Sequence, residues 1–483
     1  MSRRATYYGS SFASINPNFI STWDTTKAGS ASDTIIIPLL SSGTYTNGVI
    51  DWGDGNTSVL SYANRTHVYG SSGTYTVTIS ADVIKGFRFA GSGDHEKITD
   101  ISNWGVLDID SDQVFYSCYN LDVSATDAPT ITTTNLSNTF RNCTSLVIPN
   151  LSSWDISSVQ SLGSSYIQGM FTSCTALDNP DLSGWDTSNV VYMRAVFYGC
   201  SVFNSPSISN WDVSSVISFG NTNPNWAMFG NCTLFNQPLN WNINTTSAVH
   251  MGNMFYNASA FNQDISGWNV SSVTTMIAMF RSCSDFNQNL GAWNTGLVTT
   301  MTQMFQYATS FNNGGSPDID NWDVSSVVIF GNSYNRAMFL GATSFNQPIG
   351  SWDTSSMQDA TAMFSGATSF NQPIGNWDTT NLLKAGGSGE TNWGMFYNAS
   401  AFNQDISGWD VNQITKFSSF MTGVTLSTAN YDVLLIAWDS QGAMSYSGIV
   451  NFGGSVYTLG GAAEAARTSL ISKWGGITDG GGI

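Results

Sequence analysis

Basic residues are scarce in this sequence. Fifteen Lys and Arg stand against 33 Asp and Glu, for a formal net charge of −18. Beyond Arg3-Arg4 the bases do not cluster, and phosphate backbones are bound by clustered Lys and Arg, so nucleic acid is a poor partner. Anionic membrane surfaces are disfavoured on the same grounds. Charge of either sign is thin, at 10% of residues, where an average domain carries about 25%. Solubility must therefore come from neutral Gly, Ser, Thr and Asn. No apolar run approaches the roughly 18 residues of a membrane span. Histidine is limited to His67, His95 and His250, and no nucleophile motif accompanies them, so the expectation is a protein that is not an enzyme.

What the chain has in abundance is a repeat. A block of the form Met-Phe-x-x-Ala/Cys-x-x-Phe-Asn-Gln-x-Ile/Leu-x-x-Trp-Asp/Asn begins cleanly at Met254, Met279, Met338, Met363 and Met395. Looser copies begin near Phe115, Phe140, Phe171, Phe197, Phe229 and Phe305, and the shortest step is 25 residues, as from 255 to 280. A fixed period of this size marks a solenoid, in which each coil buries its apolar side chains only by stacking on its neighbours. The fold expected is mainly β: a leucine-rich-repeat-like β-solenoid of about eleven short rungs. Such a body favours an extended display surface over a chemical pocket.

Six cysteines fall three residues after the repeat Phe (Cys118, Cys143, Cys174, Cys200, Cys232, Cys283), in a slot that elsewhere holds Ala258, Ala308, Ala342, Ala367 and Ala399. A position that accepts Cys or Ala is a small buried site. Stacked side chains also run side by side rather than towards each other, which suits a disulfide poorly. Free thiols and folding in a reducing cytoplasm follow.

Within one rung, Phe255, Ala258 and Phe261 suit tight turns. Phe261, Gln263 and Ile265 alternate as in a short half-buried strand, and Trp268 fills the core beside a corner at Gly267. Val273, Met276 and Met279 are core filler. The Asp or Asn after Trp (Asp155, Asp186, Asp212, Asn242, Asn269, Asn294, Asp323, Asp353, Asp378, Asp410) could line up carboxylates for Ca2+ or for paired acid catalysis. The Asn copies and the neighbouring Ser or Thr favour an Asx turn. Asp108-Ile-Asp-Ser-Asp112 alternates acids like a calcium loop but lacks the glycine and closing Glu of an EF-hand, and reads as a solvated turn. No cofactor is required, with Ca2+ the one ion to consider.

The repeat varies in length at one place. Regular copies take 7 residues from Val or Met to the next Phe, as from 273 to 280, whereas Val159–Phe171, Val216–Phe229, Val327–Phe339 and Leu382–Phe396 take 12 to 14. Insertions at one register emerge on one face, often the binding face. They carry Tyr166, Asn223, Asn225, Trp226, Tyr334, Asn335, Asn392 and Trp393, rings flanked by neutral hydrogen-bonding groups that suit sugars or a polar protein surface. The alternative is that these rings fold back on the body.

The ends differ from the middle. Residues 18–103 hold short β-type runs, and Asp51-Trp-Gly-Asp-Gly55, His67-Val-Tyr69 and Gly73-Thr-Tyr-Thr-Val-Thr-Ile79 resemble the polycystic-kidney-disease (PKD) domain. That resemblance implies an immunoglobulin-like β-sandwich used as a spacer or interaction module, with His67 as a packing residue. The repeats, for instance Met363-Phe-Ser-Gly-Ala-Thr-Ser-Phe-Asn-Gln-Pro-Ile-Gly-Asn-Trp-Asp378, resemble the BspA-like leucine-rich-repeat surface proteins over residues 104–424. Residues 425–483, with Asn430-Tyr-Asp-Val-Leu-Leu-Ile-Ala-Trp438 and Ala462-Ala-Glu-Ala-Ala-Arg467, resemble the segment closing many such proteins and suit a small α/β cap. The resemblance implies adhesion to host-surface glycans or proteins. No signal-peptide core follows Met1, so the expectation is a virion component, of phage tail or capsid, with residues 1–17 as an attachment arm. Other virion or surface-assembly proteins and further copies of the chain are the remaining partners expected. A passive decoration protein, a secreted bacterial adhesin and, more remotely, a polysaccharide depolymerase are the alternatives.

Overall fold

The computed structural model describes residues 17–148, 151–164, 169–223, 227–243, 247, 249–332, 334, 336–387 and 394–483. The N-terminal arm apart from Pro17 lies outside them. The chain opens with strands β1 (Phe19–Asp24), β2 (Thr34–Ile36), β3 (Leu39–Thr46), β4 (Val49–Asp51), β5 (Thr57–Val59), β6 (Thr66–Val68), β7 (Thr74–Ser80), β8 (Val83–Phe87) and β9 (Ile98–Asn103). One sheet runs in the order β9-β1-β7-β4-β5, with β2-β6 and β3-β8 as separate antiparallel pairs. Alternation along β1 turns Phe19, Ser21 and Trp23 inward, as a strand with one buried face requires. Phe19 meets Phe87 of β8 edge-on at 5.3 Å, which joins the sheet to the β3-β8 pair.

Two of these strands also start the solenoid. After β9 come β10 (Asp108–Ile109) and β11 (Asp122–Val123), and β11 pairs in parallel with β9. Beside β8, Ile84 bridges Leu107 in parallel, and Phe87 and Phe89 lie against Phe115. The first end of the stack is thus covered by a sheet whose edge strand continues into it, which disposes of the open edge that would otherwise invite pairing.

Eleven rungs follow. The repeat Phe rings form one column, from Phe115 and Phe140, 5.4 Å apart and 8° from parallel, to Phe364 and Phe396, 5.6 Å apart and 10° from parallel. A second column runs from Phe203 through Phe286 to Phe402 and is stacked within each rung on the first, as Phe280 on Phe286 at 4.1 Å. Leu121, Leu146 and Leu177 fill the second column in the first three rungs. Most of the Trp column, Trp154 and Trp211 excepted, is pinned from rung to rung: Trp293 Nε1 donates to Ile265 O at 3.1 Å and Trp322 Nε1 to Leu290 O at 2.9 Å. The indole buries its face and satisfies its N–H together.

Each rung is a polygon of tight turns. Ala258 N–H donates to Phe255 O, Phe261 to Ala258, Trp268 to Ile265 and Val273 to Val270, at 2.9 to 3.1 Å. The expectation of turns at Phe255–Phe261 holds, but the short strand is not at Phe261–Ile265. It is at Val273–Thr275, paired in parallel with Val249–His250. The reason is chemical. At Phe-Asn-Gln the side chains take over the links between rungs: Asn262 Oδ1 accepts Asn287 N–H at 2.9 Å and Gln288 Nε2 at 2.8 Å. Where Val and Thr stand instead, the backbone must pair.

The residue two after the repeat Phe adopts a left-handed conformation in every rung, from Ser117 (φ 65°) to Asn398 (φ 56°), with Gly at only Gly199, Gly341 and Gly366. The helical cap closes the far end with α1 (Thr428–Asp439) and α2 (Ala462–Lys473). The asparagine ladder runs directly into it. Asn403 Oδ1 accepts the N–H of Ser427, the residue capping α1, at 2.7 Å, and Asn430 Nδ2 donates to it at 3.1 Å in place of Gln.

Candidate functional site: the face that carries the inserts

The four long rungs share one device. Met170 N–H donates to Leu162 O, Met228 to Phe219, Met338 to Phe330 and Met395 to Ala385, at 2.8 to 2.9 Å. Regular rungs close the same corner with a four-residue turn, as Met279 N–H to Met276 O at 3.2 Å. In most regular rungs the residue two before Phe is left-handed, as at Ala278 (φ 53°) and Gln303 (φ 66°), whereas Gly169, Ala227, Ala337 and Gly394 of the long rungs do not have that conformation. Each insert therefore leaves and returns through the base of a small hairpin. It is clearest in the ninth rung, where Gly331 pairs with Ala337 and Asn332 with Arg336.

Beside the insert bases runs a parallel ladder with one residue per rung: Asn135, Ser161, Tyr192, Ser218, His250, Thr275 and Thr300, then Ile329, Asp359, Lys384 and Lys416. Its first half is neutral and rich in hydroxyls. In its second half Lys384 Nζ contacts Asp359 Oδ2 at 3.0 Å.

Of the residues singled out on the inserts, two are described. Tyr334 is 80% exposed at the tip of its hairpin, held by its N–H donating to Asn332 Oδ1 at 3.0 Å, so its ring does not fold back on the body. Asn223 is half-buried, its N–H donating to Asn221 Oδ1 at 2.7 Å. Tyr166, Asn225, Trp226, Asn335, Asn392 and Trp393 lie outside the described residues. The sequence reading missed Arg194 and His250, which face the same surface two rungs apart. Aligning the positions three to five residues before each Phe would have brought them out.

The Asp/Asn column caps turns. Asp323 Oδ1 accepts Ser325 N–H at 3.0 Å and Ser325 Oγ–H at 2.6 Å, and Asn269 does the same for Ser271 at 3.1 and 2.7 Å. At Asp155, Asp186, Asp353 and Asp378 the Ser or Thr hydroxyl, followed by the backbone N–H, holds the carboxyl below its ordinary range. Asp108, Asp110 and Asp112 are not the solvated turn expected. Asp108 is buried and 3.0 Å from Lys85 Nζ, Asp110 Oδ2 accepts Gly86 N–H at 3.1 Å, and Asp112 Oδ1 meets Arg88 at 2.8 Å. Strand β8 lies alongside this segment and supplies partners that the sequence pattern alone does not reveal. Among the described residues no group of three or more His, Cys, Asp or Glu could hold a metal ion.

All six cysteines are free and buried. Five donate their thiol hydrogen to the preceding rung's Phe carbonyl, as Cys143 to Phe115 O at 3.1 Å and Cys283 to Phe255 O at 2.8 Å. Burial raises all six thiols, Cys200 to about 12.

No curated protein and no solved structure matches this chain. One family model does, four times over, at residues 87–167, 165–266, 226–337 and 313–438, and these matches together cover well over half of the 483 residues. The first begins at the end of β8, where the stacking of coils also begins. By its repeats, the chain belongs to the family described as Mycoplasma protein of unknown function, DUF285.

Proposed function

We propose that this protein is a non-enzymatic display and adhesion protein of the BspA-like kind, which holds its insert-bearing face against host-surface glycans or proteins. The observation that carries the reading is the shared hairpin base. Four inserts rich in Asn, Ser, Gly and aromatic residues leave a rigid scaffold at one register, beside a ladder of hydroxyl groups. Loops held by a rigid scaffold are where binding residues concentrate, and the exposure of Tyr334 supports a ring presented to a partner. Flat rings among neutral hydrogen-bonding groups match the two faces of a sugar.

The N-terminal strands we read as a PKD-like spacer. Trp52 lies flat on His67 at 4.9 Å, and Tyr69 OH donates to Trp52 O at 2.9 Å, so the Asp51–Gly55 motif builds a packing cluster. We place the protein on a virion surface. Six sealed, unpaired thiols suit folding in a reducing interior, and lysis would then expose the finished particle. Glycan-array binding by the intact protein, lost in Trp226→Ala and Trp393→Ala, tests the adhesive reading. Absence of any glycan or host-protein binding by the wild type would leave passive decoration of a particle in its place.

A further inference from the structure

Beside the fifth-rung insert, on the ladder face, lies a groove of about 400 Å³, lined by Arg194, Asn221, Thr222, His250 and the threonine pairs 274–275 and 299–300. It runs from the fourth rung to the eighth, roughly 20 Å at the spacing of stacked strands. Its volume falls within the range of small-ligand sites. We propose that this groove binds a short stretch of acidic glycan, with Arg194 taking the carboxylate of one sugar and the threonine ladder the hydroxyls of the sugars that follow it. The proposal rests on the adhesive reading above and names the glycan class.

Three observations carry it. Arg194 Nε donates to Ser218 Oγ at 2.5 Å, its guanidinium lies 5.9 Å from the Tyr192 ring, and no carboxylate meets it among the described residues. Lys85, Arg88, Lys384 and Arg467 each have a carboxylate within 3.0 Å, and Arg141 and Arg281, which stand over the rings of Tyr116 and Tyr256, do not line this groove. A half-buried guanidinium held by its Nε keeps its outer N–H groups for a planar anion, and a carboxylate matches that fork in bidentate fashion.

Second, Thr275 lines the same groove at 8% exposure, and its hydroxyl has no hydrogen-bond partner among the described residues. A buried polar atom left unmatched is costly and calls for a partner. Third, the groove offers one permanent positive charge. The only other titratable lining group is His250, lowered from its ordinary value by burial and by the Arg194 charge. One charge in a neutral, hydroxyl-lined trough suits one carboxylate along its length. In a chain of net charge −18 it suits a dense polyanion badly.

The test is calorimetric titration of the full chain with matched oligosaccharides: uronate-containing, the same sugars carboxyl-reduced, and sulfated counterparts. The uronate form should bind at least tenfold more tightly than the carboxyl-reduced form. Arg194→Gln should remove that preference, while Lys27→Gln, on the N-terminal sheet domain, should not. Thr275→Val, which keeps the shape and deletes the hydroxyl, should weaken uronate binding at least threefold while the melting temperature of the free protein stays level or rises, so that lost folding is not mistaken for a lost site. Equal binding of uronate and carboxyl-reduced sugars would overturn this inference and leave the adhesive reading standing. Equal or tighter binding of the sulfated form would overturn the carboxylate assignment. No binding of any of the three, together with a blank glycan array, would remove both.

Discussion

Cys200 donates its thiol hydrogen to the carbonyl oxygen of Phe171, 3.0 Å away in the preceding rung. The same bond recurs along the column, so the thiol is both a small core group and a link between rungs. Thiolate is the reactive form of cysteine, and burial pushes Cys200 to about 12. In the native protein none of the six cysteines should react with a thiol reagent at mildly alkaline pH, and all six should react in denaturant. Rapid labelling of even one in the folded state would contradict the sealed column.

Asn262 joins two rungs through a single oxygen that accepts Asn287 N–H and Gln288 Nε2. Asn262→Ala strands a part-buried backbone N–H, at a cost of about 1–3 kcal/mol. Asn262→Asp keeps the acceptor and should cost much less. The first rung shows the precedent: Asp122 Oδ1 stands at this position and accepts Val147 N–H at 2.9 Å. Denaturant unfolding of the two variants should rank them in that order. Equal destabilisation would mean that the Asn amide group, not its oxygen, holds the rungs together.

This ladder also marks how far the sequence could be read. Period, rung count and the Phe, Trp and Cys/Ala columns were visible because identical residues recur at fixed spacing, and stacking turns each into a continuous core. The strand was misplaced because Phe261-Asn-Gln-Asp-Ile265 alternates like one, while its inter-rung bonds are made by side chains. The partners of Asp108 and Asp112 were invisible because Lys85 and Arg88 stand outside the repeat. Arg194 and His250 lie 56 residues apart in sequence (250 − 194) and meet one groove only because two coils carry them there.

His67 Nε2 lies 2.8 Å from Asp54 Oδ2. Burial works to raise the Asp54 carboxyl, but the bonds from His67 and Asn56 outweigh it and hold the group at about 2. The folded value lies below the ordinary 3.8, so the stabilisation is complete above about pH 4 and is lost as pH falls through about 2. The melting-temperature gap between wild type and Asp54→Asn should therefore be widest near neutral pH and close on acidification across that window. A gap independent of pH would show that Asp54 is not held by this pair.

The inserts should be separable from the scaffold. Val327 reaches Phe339 in 12 residues where Val273 reaches Phe280 in 7, so removing residues 331–335 restores the regular length. Phe330 then takes the place of Met276, and Arg336 to Phe339 take those of Ile277 to Phe280. The cost falls on Ala337, which must adopt the left-handed conformation that Ala278 holds at φ 53°, about 1–2 kcal/mol for a residue other than glycine. Adding Ala337→Gly to the deletion should recover most of that loss. The shortened protein should keep its circular dichroism and cooperative melting, and binding that depends on Tyr334 should disappear. If the shortened rung unfolds even with Gly at 337, the hairpin is part of the scaffold rather than a device displayed on it.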